Sequence, residues 1–259
     1  MGTVTKALSL LALFNQGRSE IGLSDMTRLS GMNKATVYRM LSELQAMGFV
    51  EQVGNDRAYR LGPEVLRLAA LREAAVPLLS VSRSVLDQLS AATGETSHMS
   101  LLQGDQLNLL IHCYSPRHAT RVMMEDAEVL SFHATSSGLA VLAFSPPEFA
   151  RRKLASPLQR FTDQTRTDPA EIRVALDQAR ANGFAESVGG FEADVHSHAA
   201  PIFGADQIPI GALAVAAPVS RMTPDSRTAI RAQLLASARD LTQRIGGFAP
   251  AGYPAQSAA

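Results

Sequence analysis

An α+β chain of two domains is what this sequence predicts, and three observations carry the prediction. Three short helical patterns and a hairpin fill residues 1–62. A proline-bounded helical run, 63–77, follows them. From residue 78 to 246 strand-like and helix-like runs are mixed, and 247–259 form a small, proline-rich tail.

The elements follow from local signals. In "TKALSLLALFN" Ala7, Leu8, Leu10, Leu11 and Phe14 form one helical face. "LSDMTRLSG" opens with Ser24 as a candidate N-cap and stops at Gly31. In "GMNKATVYRMLSELQAMGFV", Val37, Met40, Leu41, Leu44 and Met47 make one stripe at helical spacing, ended by Gly48. "FVEQV" and "AYRLG" flank the turn residues "GNDR", which is hairpin chemistry. Pro63 then opens the linker helix "EVLRLAALREAA".

In the second domain "LLSVSRSVLDQLSAAT" is helical up to Gly94, and "TSHMSLLQ" and "LNLLIHCY" are strands around "GDQ". "ATSSGLAVLAF" is helical and ends before Pro146 and Pro147. "TDPAEIRVALDQARANGF" has Asp168 as N-cap, Pro169 at the first helical position and Gly183 past the end. "VHSHAAPIF" and "IGALAVAAP" are strands joined by "GADQIP", and a last helix runs from about Thr223 to Ile245. The tail predicts an unstructured end.

Composition bounds the function. With 46% hydrophobic and 19% charged residues the chain has the makeup of a globular protein, and no apolar run approaches a membrane span. One cysteine, Cys113, cannot form an internal disulfide, which fits a reducing cytoplasm. Zero net charge argues against coating nucleic acid by bulk electrostatics. Residues 1–62 nevertheless hold seven Lys/Arg against five Asp/Glu, a local excess of positive charge.

Helix, helix-turn-helix and hairpin together make the winged-helix arrangement, whose second motif helix enters the DNA major groove. Asn33 and Lys34 stand at that helix's start, where N–H groups and positive charge suit a phosphate. Thr36, Tyr38 and Arg39 project away from the apolar stripe. Arg39 suits guanine, and Thr36 and Tyr38 suit phosphate or a thymine methyl. Asn55, Arg57 and Arg60 in the hairpin would reach the DNA backbone or minor groove. The plainer alternative is a helical cap with a solvated polar face.

The string "VTKALSLLALF…LSDMTRLSGMNKATVYRMLSELQAMGFVEQ…YRLGPEVLRLA" resembles the amino-terminal domain of the IclR family of bacterial transcriptional regulators. "TGETSHMSLLQGDQLNLL", "FHATSSGLAVLAF", "TRTDPAEIRVALDQARANGFAES" and "HAAPIFGADQIPIGALAVAAP" resemble successive blocks of its effector-binding domain. The resemblance implies a winged helix, a linker helix and a GAF-like domain built on an antiparallel sheet. It also implies a homodimer, often paired into a tetramer, on palindromic double-stranded operators, and a small-molecule effector in place of a cofactor.

For the pocket, the resemblance points to the helix start in "HATSSGLA": Ser136, Ser137 and Gly138 would hold an anion, with His133 orienting it. An ordinary N-cap explains the same residues. Elsewhere the chain departs from members that bind small oxoacids. Ser187 replaces an aspartate, Ser197 a cysteine, and Ala214 and Ala216 two serines. These changes imply a different organic acid, larger or partly apolar. Arg121 could balance its charge.

Two other readings were open. His196 and His198 share one strand face and could contact the effector or chelate a metal in a metal-responsive regulator. His112 and Cys113 suggest a thiol nucleophile, but strand neighbours point to opposite faces, and no catalytic motif is present elsewhere. The expectation is a regulator, not an enzyme, with no membrane association.

Overall fold

A computed structural model describes residues 2–14, 18–54, 57–75, 78–125, 128–155 and 157–254. The chain divides into two compact units, residues 1–77 and 78–259.

In the first unit α1 (Thr3–Leu11), α2 (Leu23–Ser30) and α3 (Lys34–Ala46) precede a hairpin of β1 (Val50–Val53) and β2 (Ala58–Leu61), and α4 spans Pro63–Ala75. Leu10, Met26, Val37, Leu41 and Tyr59 are fully buried at its centre. Each such side chain contributes about 1.5–3 kcal/mol through burial. The turn between α2 and α3 passes through Gly31 in the left-handed region (φ 67°). Three details differ from expectation. The α2 N-cap is Gly22, not Ser24, so Ser24 lies inside the first turn. Met47 is 69% exposed, because α3 ends at Ala46 and the chain turns away before Met47 can reach the core. Leu8 is also exposed.

The second unit is a six-stranded antiparallel sheet in the order β5-β4-β3-β8-β7-β6. Its strands are β3 (Thr96–Gln103), β4 (Gln106–Cys113), β5 (Val129–Leu130), β6 (Ala185–Val188), β7 (Val195–Phe203) and β8 (Pro209–Pro218). Helices α6 (Ser136–Phe144), α7 (Pro147–Leu154) and α8 (Pro169–Asn182) lie on one side, α5 (Leu78–Thr93) and α9 (Pro224–Arg244) on the other. The strand pleat sorts residues between two cores. On β8, Ala212 and Ala214 face α6, and Leu213 and Val215 face α5 and α9. Alanines on the α6 side let that all-apolar helix lie close to the sheet.

Sequence signals missed α7 and the short edge strands β5 and β6. The expectation of an unstructured tail is also corrected for the described residues 247–254. Tyr253 packs edge-on against Phe144 and Phe203, its hydroxyl donates to Gly183 O at 2.6 Å, and Arg239 Nη2 donates to Pro254 O. Among the described residues no helix is long and apolar enough to cross a membrane.

Candidate functional site

Two surfaces carry the chemistry, one in each unit. On α3 the Asn33 side chain accepts from Thr36 N at 2.8 Å, capping the helix and presenting its first turn to solvent. Lys34, Tyr38 and Arg39 are exposed, Tyr38 at 56%, and Thr36 is half-buried beside them. No ion pair occupies Lys34 or Arg39 among the described residues, so both charges are available to phosphates or bases. Arg57 is exposed at a left-handed position (φ 51°) in the hairpin turn. Arg60 is exposed and paired, its Nε 2.6 Å from Glu51 Oε1 across the β1–β2 ladder. Asn55 lies outside the described residues.

In the second unit a small cavity opens at the start of α6. Thr135 caps the helix by accepting from Gly138 N at 3.0 Å. Ser136 and Ser137, the next residues, line the cavity. Helix-start N–H groups have no intrahelical acceptor, so this end favours an anion. Ser136 Oγ donates to Ser197 Oγ at 2.8 Å, and Ser187 Oγ donates to Ala134 O at 2.7 Å. Ser187, Ser197 and Ala216 therefore stand with Ser136 and Ser137 around one space.

The other sequence candidates lie elsewhere. Gly138 is a packing residue: a Cβ there would meet Ser131 O at 2.3 Å and Phe132 Cα at 2.4 Å. His133 is buried outside the cavity, its Nε2 donating to Gln159 O at 2.8 Å and its Nδ1 3.0 Å from Ser131 Oγ. Ala214 is sealed in the core under α6. Arg121 is exposed and stacks over Tyr114, its guanidinium carbon 4.5 Å from the ring centroid.

His196 and His198 are corrected most sharply. On β7 Ser197 pairs with Ala216 on the cavity side, and His198 pairs with Val215, whose side chain enters the α5–α9 core. With a two-residue pleat both imidazoles must turn away from the cavity. They stack at 4.9 Å and meet Glu186, with His196 Nε2 donating to Oε1 at 2.6 Å and His198 Nε2 3.2 Å from it. The Arg231 guanidinium closes the cluster, 3.3 Å from both Glu186 oxygens and from His198 Nε2. Hydrogen bonding from His196, supported by His198 and by Arg231, holds the Glu186 carboxyl far below the usual carboxylate range. Burial pushes His198 down.

Sequence reasoning missed several cavity residues: His98 on β3, Val122, Met124, Glu128, Phe191 and Glu192. His98 is 5% exposed, with Nε2 3.3 Å from Ser137 Oγ and Nδ1 without a partner. Burial lowers its pKa to about 4, so it is neutral near pH 7. The alternation of Thr96, His98 and Ser100 carried that signal. The other five lie outside the strands and helices, where periodicity says nothing. Cys113 is no nucleophile: its Sγ is 3.0 Å from Asp87 Oδ1, burial pushes the thiol up to about 11, and His112 stacks on Tyr114 instead.

Residues 3–54 match the IclR helix-turn-helix domain, and residues 72–243 match the bacterial transcriptional regulator IclR C-terminal domain. The chain belongs to the IclR family. IclR proteins are DNA-binding transcriptional regulators and not enzymes. The glycerol operon regulatory protein of Streptomyces griseus is 30% identical over 92% of this chain and 96% of its own. The transcriptional repressor IclR of Escherichia coli K12 is 26% identical, covering 95% and 90%. An IclR transcriptional regulator from Silicibacter sp. TM1040 is 65% identical over 98% of this chain and 100% of its own, with a TM-score of 0.84. An IclR homolog from Microbacterium hydrocarbonoxydans, solved as a complex with 4-hydroxybenzoate, is 25% identical over 94% and 99%, with a TM-score of 0.58.

Proposed function

We propose that this IclR regulator binds a palindromic operator as a homodimer, or a dimer of dimers, and that a small organic acid in the α6 cavity sets its affinity. One observation carries the effector half of the reading: the open helix start at Ser136 and Ser137 meets a cavity walled by Ser187, Ser197 and Ala216. The 4-hydroxybenzoate bound to the Microbacterium hydrocarbonoxydans homolog supports an acid as the class of ligand. Dimerisation is supported by apolar side chains left in solvent within residues 1–77: Val4 and Leu8 on α1, and Leu66, Leu68 and Leu71 on α4. The cytoplasm is the compartment this function requires.

The mechanism proposed is linkage. Effector binding favours one arrangement of the carboxy-terminal domains, and α4 conveys it to the spacing of two α3 helices. A dimer fits both half-sites at one spacing, so a small change alters affinity. A gel shift with the promoter beside the protein's own gene tests the DNA half, with Arg39→Ala as the control. Equal shifts by variant and wild type overturn the role given to Arg39. A thermal-shift screen of small acids tests the effector half, because a ligand of the folded state alone raises Tm. A hit that survives bulky replacements at Ser136 and Ser137 overturns the cavity.

A metal-responsive regulator is a second reading, favoured by the convergence of Glu186, His196 and His198 within 4.8 Å. Arg231 weighs against it, since its guanidinium already supplies the counter-charge at that carboxylate. Metal analysis of the purified protein, before and after incubation with zinc, decides. No bound or recruited metal ends that reading.

A further inference from the structure

The reading of the α6 cavity as the effector site leaves a question of charge. An acid needs positive or donor groups, and the cavity supplies them at one end only. That end has the α6 start and His98, whose unpartnered Nδ1 belongs to a side chain 95% buried in the cavity wall. Its Nε2 lies 3.3 Å from Ser137 Oγ, so the ring shares a hydrogen bond with the first turn of α6. Among the described residues no lysine or arginine lines the cavity. Two carboxylates do, Glu128 and Glu192, together with the Phe191 ring. A plain carboxylic acid would meet net negative charge there with nothing to offset it.

We infer that the effector is a zwitterion. Its carboxylate would sit at the start of α6 beside His98, and its nitrogen-centred cation between Glu128, Glu192 and the Phe191 ring. This rests on the cavity being the effector site and adds the charge pattern of the ligand. The two ends ask for different things. Helix-start N–H groups donate to a carboxylate. Two carboxylates and an aromatic face attract an ammonium or a quaternary ammonium, and neither attracts an anion. The state of the carboxylates supports this. Glu128 is held above the usual carboxylate range by burial and then by the charges of Glu192 and Glu125. Glu192 is raised by burial and by Glu125. A bound cation relieves that crowding.

The test uses the full chain with matched probe sets of two, four and six carbons: ω-amino and ω-trimethylammonio carboxylates, the parent carboxylates, and the parent amines. Thermal shift ranks them and calorimetry gives Kd. At least one zwitterion is expected to bind tenfold or more tighter than both of its parents. Glu128→Gln and Glu192→Gln should each weaken the zwitterion at least fivefold and leave the parent carboxylate unchanged or tighter. Ser137→Leu and Met124→Trp, each checked for operator binding as proof of folding, should block binding. Suppose a parent carboxylate binds as tightly as its zwitterion, and both blocking variants abolish it. The zwitterion inference then falls while the cavity stands. Binding that survives both blocking variants overturns the cavity and the inference together. So does the absence of binding by any probe up to about 10 mM, the weakest Kd range that matters for a metabolite.

Discussion

His98 Nε2 lies 3.3 Å from Ser137 Oγ, joining the centre of the sheet to the first turn of α6 inside the cavity. The imidazole is buried, and its pKa is lowered from 6.5 to about 4 by desolvation and then by the neighbouring His112. A histidine depressed on folding binds its proton more readily in the unfolded chain. Its contribution to stability is therefore complete above pH 6.5 and is lost as pH falls toward 4. The expected loss is about 2 kcal/mol by pH 5 and about 3 kcal/mol by pH 4. Urea unfolding of wild type and His98→Gln at pH 7, 6 and 5 isolates it. The variant should be weaker at pH 7 and show the shallower decline, and parallel declines would refute the assignment.

On the recognition helix two kinds of contact should separate. Lys34 at the helix start suits a phosphate, and Arg39 one turn on suits a base edge. Lys34→Ala should weaken operator and random DNA alike and lower the salt slope by about one. Arg39→Ala should cost about 1–3 kcal/mol on the operator and little on random DNA. Fluorescence anisotropy at several salt concentrations reads both. Interchanged phenotypes would reverse the assignment of the two residues.

Most of the first unit was legible because its signals are local and periodic. Val37, Met40, Leu41 and Leu44 fall on one helical stripe, and the structure buries all four. Met47 has the right spacing but lies beyond the last turn, where spacing no longer sets direction. In the second unit Asp168, Pro169 and Gly183 mark α8 at both ends. The cavity was legible only in part. Ser136, Ser137, Ser187 and Ser197 were found through resemblance, and His98 was present in the alternation of β3. Glu128, Phe191 and Glu192 come together through loops, and nothing local announces that. The pairing of Ser197 with its neighbours His196 and His198 failed for a simpler reason: adjacent strand residues cannot share a face.

Glu186 joins β6 to β7 and α9 through His196, His198 and Arg231. Its folded pKa is depressed, so its contribution is present above the ordinary carboxylate value and lost as pH falls below about 4. Glu186→Gln keeps the shape and removes the charge that Arg231 faces. Because Glu186 is about one-third exposed, the expected cost is moderate, about 1–3 kcal/mol near pH 7. That cost should shrink below pH 4. Urea denaturation of both proteins across pH checks it, and a pH-independent difference would show that packing, not charge, holds the cluster.

The last described residues make a similar test of packing against composition. Proline and small residues predicted a loose end, yet Tyr253 lies against Phe144 and Phe203, and burial pushes its phenol up to about 12. Gly247 is what lets the chain reach that site. Its N–H donates to Thr242 O at 2.8 Å, and a Cβ there would fall 1.8 Å from Phe203 O. Removing residues 247–259 exposes Phe203 and the end of α6, and Tyr253→Ala alone should cost about 2–3 kcal/mol, less than for a fully buried aromatic. Gly247→Ala should cost a comparable amount without removing any contact group, because the backbone must move off Phe203. Spectrophotometric titration supplies the second readout: one of the four tyrosines should ionise near pH 12 in wild type and be missing in Tyr253→Phe. If both substitutions left Tm unchanged, the aromatic contact would contribute nothing to the fold.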